Sequence, residues 1–373
     1  MQQHLLFLNQ KLAKTKETMV YRALKILGGK VDFCSNDYLG FAKNPTIHSH
    51  KTTATKTPTN YGSTGSRLIS GNSEAVENLE AQLQIFYHSA AALIFNSGYN
   101  ANVGFFQCIP QRADTILYDE YIHASVRDGI KLSNAKHFSF KHNSLADLKN
   151  KLQRTKGLVY VVVESVYSMD GDQAPLKEIV ALCRQNNAAL IVDEAHAVGV
   201  IGKGKGCVIE EQLENDIFAR IVTFGKALGT HGAVVLCHPT VKEYLINFSR
   251  AFIYTTALPL SAINAIANAH IELEKITNRK HLQELISYFN EKTLKTSYHF
   301  LESTSAIQSL IIPGNEAAKK LANYFQQNGF DIKAILHPTV PKGMERLRIC
   351  LHSYNTTAEI NQFFELLENF KPS

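Results

Sequence analysis

LVYVVVESVYSMDGDQAPLKEIVALCRQNNAALIVDEAHAVG, residues 158–199, decides how the chain is read. Two apolar runs, LVYVVV (158–163) and AALIV (188–192), flank a segment in which Leu176, Ile179, Val180 and Cys183 recur at helical spacing. Neither run alternates polar with apolar residues, as a strand with one wet face would. Strands that are apolar on both sides belong in a sheet covered by helices on both faces, the parallel α/β arrangement. The same texture extends outward through AALIF (91–95), TILY (115–118), ARIVTF (219–224) and AVVLC (233–237). Between them, SEAVENLEAQLQIFYH (73–88) puts Val76, Leu79, Leu83 and Phe86 on one helical face. Asn72 or Ser73 is its expected cap, with Glu74 and Glu77 in the first turn.

After Pro259 the texture changes. A helical stretch over about 261–276 leads into a polar, Lys-rich section, and IQSLIIPG, NEAAKKLANYFQQNGF, DIKAIL, ERLRICLHS and TAEINQFFELLENF then read β, α, β, β, α. The expected organisation is an N-terminal arm over 1–34, a large α/β domain over 35–260 and a smaller α+β domain over 261–373. The 373 residues are 45% hydrophobic and 19% charged, an ordinary globular composition that excludes a disordered chain. The net charge of +6, from 39 Lys and Arg against 33 Asp and Glu, contains no basic run, so a nucleic-acid partner is not expected. Six scattered cysteines, with no C-x-x-C pair and no zinc spacing, read as reduced thiols. MQQHLLFLNQKLAK is too polar for a signal sequence, and no apolar run approaches a membrane span. A soluble cytoplasmic protein is expected.

In an open parallel sheet, ligands sit outside the carboxyl ends of the strands. The residues that follow the apolar runs are Asn96-Ser97-Gly98-Tyr99, Asp119-Glu120, Glu164-Ser165, Asp193-Glu194-Ala195-His196 and Gly225-Lys226. Any α/β protein has polar strand ends, so each group alone is weak. DEAH at 193–196 invites an ATPase reading, but GVIGKGKG (199–206) lies after it and has Gly where a phosphate loop needs Ser or Thr. No dinucleotide fingerprint follows the first strand, and Asp193 with His196 supplies too few ligands for a metal. Lys226 lies among Thr223, Gly225, Gly229 and Gly232. Small neighbours allow close backbone approach, and a desolvated lysine is a Schiff-base nucleophile. With Asp193 as the partner of a pyridinium nitrogen, the combination is that of a pyridoxal-phosphate site.

Eight segments carry a resemblance in order along the chain: VDFCSNDYLGF (31–41), YGSTGSRLISGN (61–72), FNSGYNAN (95–102), YDEYIHASVRDG (118–129), VVESVYSMDGDQAPL (162–176), IVDEAHAVGVIG (191–202), VTFGKALGTHGA (222–233) and YTTALP (254–259). From Val31 to about Arg348 the chain resembles the α-oxoamine synthases, fold-type I pyridoxal-phosphate enzymes that condense an amino acid with an acyl thioester. The resemblance implies an α/β fold whose large domain has a mostly parallel seven-stranded sheet, with a smaller α+β C-terminal domain. It implies Lys226 as the Schiff-base lysine and base, Asp193 at the pyridine nitrogen, His123 stacked on the ring, and Ser168 and His196 near the phenolic oxygen. Gly98 and Tyr99, with Thr223, match the phosphate site, and Thr255 and Thr256 match positions that reach the phosphate of a neighbouring subunit. Asn36 and Arg348 match contacts to the substrate carboxylate, Thr339 a further substrate position, and Arg22 an acyl-substrate contact.

Members of this family use glycine, serine or alanine, with coenzyme A or acyl carrier protein as the thioester carrier. The compact chain, with GSTGSRLISGN and TFGKALGTHGAVVLC, is most similar to the alanine users, which take a pimeloyl thioester. A homodimer without membrane or nucleic-acid partners is implied. An ordinary aminotransferase and an inert scaffold on the same fold are the competing readings, the second disfavoured by Lys226, Asp193 and His123 occurring together.

Overall fold

The computed structural model describes residues 2–24, 28–48, 62–275 and 277–371. The chain divides into two compact units, Met1–Asn36 with Met169–Gly171 and His281–Ser373, and Asp37–Ser168 with Asp172–Lys280.

The larger unit is built on seven strands: β1 (Ala91–Phe95), β2 (Thr115–Asp119), β3 (Lys136–Phe140), β4 (Val159–Glu164), β5 (Ala188–Asp193), β6 (Ala219–Thr223) and β7 (Ala233–Cys237). Their order across the sheet is β1-β7-β6-β5-β4-β2-β3. The pairs from β6 through β3 are parallel, whereas β7 runs antiparallel to both of its neighbours. The sheet is thus mostly parallel, as expected, with β7 the antiparallel member. Only residues 224–232 separate β6 from β7, too few for a crossover and enough for a reversal. Both faces are apolar as expected. Val162 and Ile191 pack on one side with Phe105, Phe106 and Val126, while Val161, Val163, Leu190 and Val192 pack on the other with Leu176, Ile179 and Val180. β3, absent from the sequence reading, is one of the two edge strands, and of its five residues only Phe140 is buried.

The helix Leu260–Leu273 falls in the larger unit, where the change of texture at Pro259 placed it in the smaller one. Ile263, Ile266, Ala269 and Leu273 are buried, and the helix packs on Glu74–Phe86. A hydrogen bond of 3.0 Å between Tyr87 Oη and His270 Nε2 fastens the pair.

The smaller unit has a three-stranded antiparallel sheet of β8 (Ile307–Ile311), β9 (Lys333–Ile335) and β10 (Arg346–Cys350), in the order β9-β10-β8. Val31–Asp32 pairs in parallel with Phe330–Asp331, which joins the N-terminal segment to this unit. Phe33, Phe289, Phe325, Phe330 and Phe363 form its aromatic core. Arg346, buried, pairs with Asp170. The first helix, Gln2–Glu17, buries no residue and leaves Leu5, Leu6, Phe7, Leu8 and Leu12 about half exposed. No described helix is long and apolar enough to cross a membrane.

Candidate active site

Asp193 and Glu164 end the parallel neighbours β5 and β4 and are paired in register, so two carboxyl groups are presented at one sheet edge. Asp193 is buried; its Oδ2 accepts from Asn102 Nδ2 at 2.8 Å and its Oδ1 from the Ala195 amide at 2.9 Å. Asn102 also reaches Ser125 Oγ, which lies 2.7 Å from His123 Nδ1. The Ser125 amide donates to the same nitrogen at 3.2 Å, so His123 caps the helix Ala124–Leu132 and keeps its ring proton on Nε2. Burial lowers the His123 pKa, Asp193 raises it in part, and Lys226 pushes it down again. The ring is therefore a neutral donor through Nε2 at neutral pH.

Glu164 has the opposite surroundings. It is fully buried, and its Oε1 has no hydrogen-bond partner among the described residues. Burial, then the charge of Asp193, push its pKa up to about 8; Lys226 and the amides of His123 and Ser168 work the other way. Glu164 is thus protonated at neutral pH.

Lys226 lies in the turn after β6, with Nζ 2.7 Å from His196 Nε2. The other ring nitrogen, Nδ1, is 2.8 Å from Tyr38 Oη, and Tyr38 is completely buried. Gly229 locks the two loops together. At φ +60° its Cα abuts Phe41 and Ala42, and a Cβ there would lie 2.1 Å from the Ala42 amide. At the adjoining strand end, Ser97 caps the helix Gly98–Phe106, its Oγ accepting from the Asn100 amide. A Cβ added to Gly98 would lie 3.3 Å from Thr223 Oγ1. Free amides at a helix start, a hydroxyl opposite and a missing side chain between them make an anion cradle. Tyr99 turns its ring outward and donates to Asp128 at 2.6 Å, so only its backbone is available to that cradle. Asn96 Nδ2 holds Thr255 Oγ1 at 3.3 Å and the Thr256 carbonyl at 2.6 Å.

In the smaller unit, Arg348 Nη2 donates to Asn36 Oδ1 at 2.9 Å, and its Nη1 lies 3.0 Å from Cys350 Sγ. Arg22 and Thr339 are both exposed. Tyr61, in one of the quoted segments, lies outside the described residues.

The larger unit thus brings together Lys226, His196, Asp193, His123, Gly98 and Thr223, and adds two residues to which sequence reasoning gave no role. Asn102 lies on the buried side of its helix four residues beyond Gly98, the spacing at which it meets the neighbouring strand end. Tyr38 is an aromatic residue inside a polar turn, the one signal available for it. The DEAH acids divide their work. Glu194 faces away from the site, accepting from the Val208 amide at 2.9 Å and facing Arg220 at 3.7 Å.

The aminotransferase class I and II family profile matches residues 28–367. The chain is 40% identical to an 8-amino-7-oxononanoate synthase of Emericella nidulans, over 96% of this chain and 94% of that one. It is 35% identical to another of that name from Marinobacter nauticus, again over 96% and 94%. Among solved structures, the 8-amino-7-oxononanoate synthase of Francisella tularensis superposes with a TM-score of 0.77 at 30% identity, covering 91% of this chain and 96% of that one. A serine palmitoyltransferase solved with pyridoxal phosphate superposes at 0.87 and 26% identity, covering 97% and 96%.

Proposed function

Because the chain belongs to the class I and II aminotransferase family, and within it to the α-oxoamine synthases, we propose that it joins L-alanine to a pimeloyl thioester, releasing carbon dioxide and thiol to give 8-amino-7-oxononanoate for biotin synthesis. The observation that carries the reading is the cluster at the strand ends, where Lys226 meets His196 at 2.7 Å beside a buried Asp193 held by two donors.

The residues present fit pyridoxal phosphate, and the test is the close approach that the missing side chain of Gly98 allows between the start of its helix and Thr223, where a Cβ would lie 3.3 Å from the hydroxyl. Gly98, Tyr99 and Thr223 would hold the phosphate, Asp193 the pyridine nitrogen, His196 and Ser168 the phenolic oxygen, and Lys226 the carbonyl carbon. When bound, the cofactor supplies an electron sink for the charge left on Cα. Lys226 removes the Cα proton, its position fixed by the turn that Gly229 seats against Ala42. His123, kept neutral by burial with its proton on Nε2, donates to the thioester carbonyl as negative charge builds there. In the smaller unit, Arg348, held by Asn36, offers a guanidinium suited to a carboxylate.

The exposed apolar residues of Gln2–Glu17 support a homodimer, since a surface helix of this kind is expected to be covered. Thr255 and Thr256, tethered to Asn96, are placed in this reading at the partner's phosphate. The reading places the enzyme in the cytoplasm. The test compares kcat/KM, by thiol release, for alanine with pimeloyl thioester, glycine with acetyl thioester and serine with a long-chain thioester. Alanine with pimeloyl thioester is expected to be the best pair, with modest glycine side activity because one methyl discriminates by only about 1–3 kcal/mol. A lead of more than tenfold for glycine with acetyl thioester replaces this reading with a glycine acyltransferase.

A further inference from the structure

We propose that Arg67, gripped by Glu80, is a positioning residue for Thr255 and Thr256, and that its effect is felt at the cofactor phosphate of the neighbouring subunit. The inference rests on the functional reading above, which places the two threonines at that phosphate. Its geometry is one buried carboxyl group on which both supports of the Thr255-Thr256 segment converge.

Glu80 is buried and uses both oxygens. Its Oε1 accepts from Arg67 Nη1 and, at 2.8 Å, from the Ile94 amide, while Oε2 accepts from Lys242 Nζ at 2.8 Å. Arg67 also donates from Nε to Asn72 Oδ1 at 2.9 Å and from Nη2 to Glu77 Oε1 at 3.1 Å. Asn72 Nδ2 closes on the same Glu77 oxygen at 2.9 Å, and the guanidinium lies 5.7 Å from the centre of the Phe252 ring. A planar fork of donors serves three acceptors at once, which the compact ammonium of a lysine does not. The turn Arg67–Gly71 is fixed by this grip, with the Ser66 carbonyl accepting from the Gly71 amide five residues on, at 2.9 Å.

That turn and the residues before it are the first support. The Gly65 carbonyl accepts from the Ala257 amide at 3.0 Å, and Ser63 Oγ donates to the Leu258 carbonyl at 2.9 Å. Gly71 approaches Ala257 so closely that an added Cβ would lie 2.5 Å from the alanine Cβ. Ala257 and Leu258 directly follow the threonines. Asn96 is the second support, holding Thr255 Oγ1 and the Thr256 carbonyl two residues beyond the Ile94 amide that Glu80 fixes. Loss of Arg67 leaves Glu80 paired with Lys242 and the Ile94 amide, so the carboxyl is not stranded and the lesion falls on the turn.

The probe is pyridoxal phosphate titrated into cofactor-free protein, followed by the visible absorption band that requires Lys226. Arg67→Met is expected to raise the apparent Kd about tenfold or more, the worth of one hydrogen bond to a charged group, and Arg67→Lys by a smaller factor. Thr255→Ala/Thr256→Ala should match Arg67→Met. Mixed pairs with Lys226→Ala, isolated by separate affinity tags, make the decisive comparison. In them the site with a lysine belongs to the Arg67→Met subunit and takes its threonines from the Lys226→Ala subunit, whose Arg67 is intact. Wild-type affinity is therefore expected, whereas a merely structural lesion would stay with its own subunit and leave that site weak. The proposal is overturned if Arg67→Met binds within about twofold of wild type while the threonine variant is weakened, or if mixing restores the threonine variant and not Arg67→Met. Should Arg67→Met fail to fold, Arg67→Lys carries the same comparison. Failure of the functional reading has its own signature, since the threonine variant then binds the cofactor as the wild type does, and the proposal falls with it.

Discussion

Glu164 and Asp193 end neighbouring strands and differ in how their oxygens are matched: both oxygens of Asp193 accept, whereas Oε1 of Glu164 has no partner among the described residues. The unmatched oxygen and complete burial of Glu164 raise its pKa to about 8, from 4.5. A carboxyl whose folded value is raised favours the folded state below its unfolded pKa and loses that contribution as pH climbs through about 8. Glu164→Gln, which keeps the neutral shape, should therefore match the wild type near pH 5 and exceed it by about 1–3 kcal/mol above pH 8, read from urea midpoints at each pH. Gly98→Ala separates binding from folding at a single position. Alanine suits the first turn of a helix better than glycine, which offsets the close contact of its Cβ with Thr223, so stability should change by less than about 1 kcal/mol, read from urea midpoints. Its Cβ, 3.3 Å from Thr223 Oγ1, should weaken pyridoxal-phosphate affinity about tenfold or more, measured by titrating cofactor-free protein. Lys226 could be singled out from the sequence because it follows an apolar strand and lies among small residues. Asn102 and Tyr38 were not, because each acts through a partner that only the fold brings near.

At the scale of elements, His142 fastens the end of β2 to the loop that follows β4. Its Nδ1 is 2.9 Å from Asp119 and its Nε2 2.8 Å from Asp172, with Tyr121 stacked on the ring at 4.4 Å. Burial alone would lower the pKa of this histidine, but the two carboxylate hydrogen bonds outweigh it and raise the value to about 10. The stability of this clamp is then complete below about pH 6.5 and is lost as pH rises through about 10. His142→Gln should cost about 2–4 kcal/mol at pH 7, and the gap to wild type should close by about pH 10.5, followed by thermal melting. The turn after β6 makes a second such joint. Gly229→Ala places a Cβ 2.1 Å from backbone in a left-handed residue and should cost about 3 kcal/mol along with lysine placement. The sequence disclosed the apolar strands because burial on both faces imposes a composition. It did not disclose β3, whose Lys136, His137, Phe138 and Ser139 are exposed and so carry no such imprint. The direction of β7 was available from loop length and not from the strand's own residues.

For the whole molecule, the net charge of +6 suits an anionic thioester carrier. Added salt should raise the KM of the thioester several-fold while leaving that of zwitterionic alanine nearly unchanged, since screening acts on the charged partner. Association of two copies has its own test. Light scattering should give a dimer, and mixing inactive Lys226→Ala subunits with inactive Thr255→Ala/Thr256→Ala subunits should restore part of the activity by leaving one intact site per mixed pair. No recovery on mixing would mean that each site is built from one chain.

The division of the chain into units also bears on the order in which the protein is made. The larger unit lies almost wholly between Asp37 and Lys280, whereas the smaller one draws on the first 36 residues, three in the middle and everything from His281 onward. A ribosome therefore releases the complete seven-stranded sheet before the partners of the N-terminal segment exist. Val31 and Phe33 wait for Phe330 and Phe363, with Leu5, Phe7 and their neighbours uncovered throughout. Nascent chains stalled after about residue 320 should already hold a protease-resistant fragment beginning near Asp37, with the first 36 residues still cleavable and still a target for chaperones.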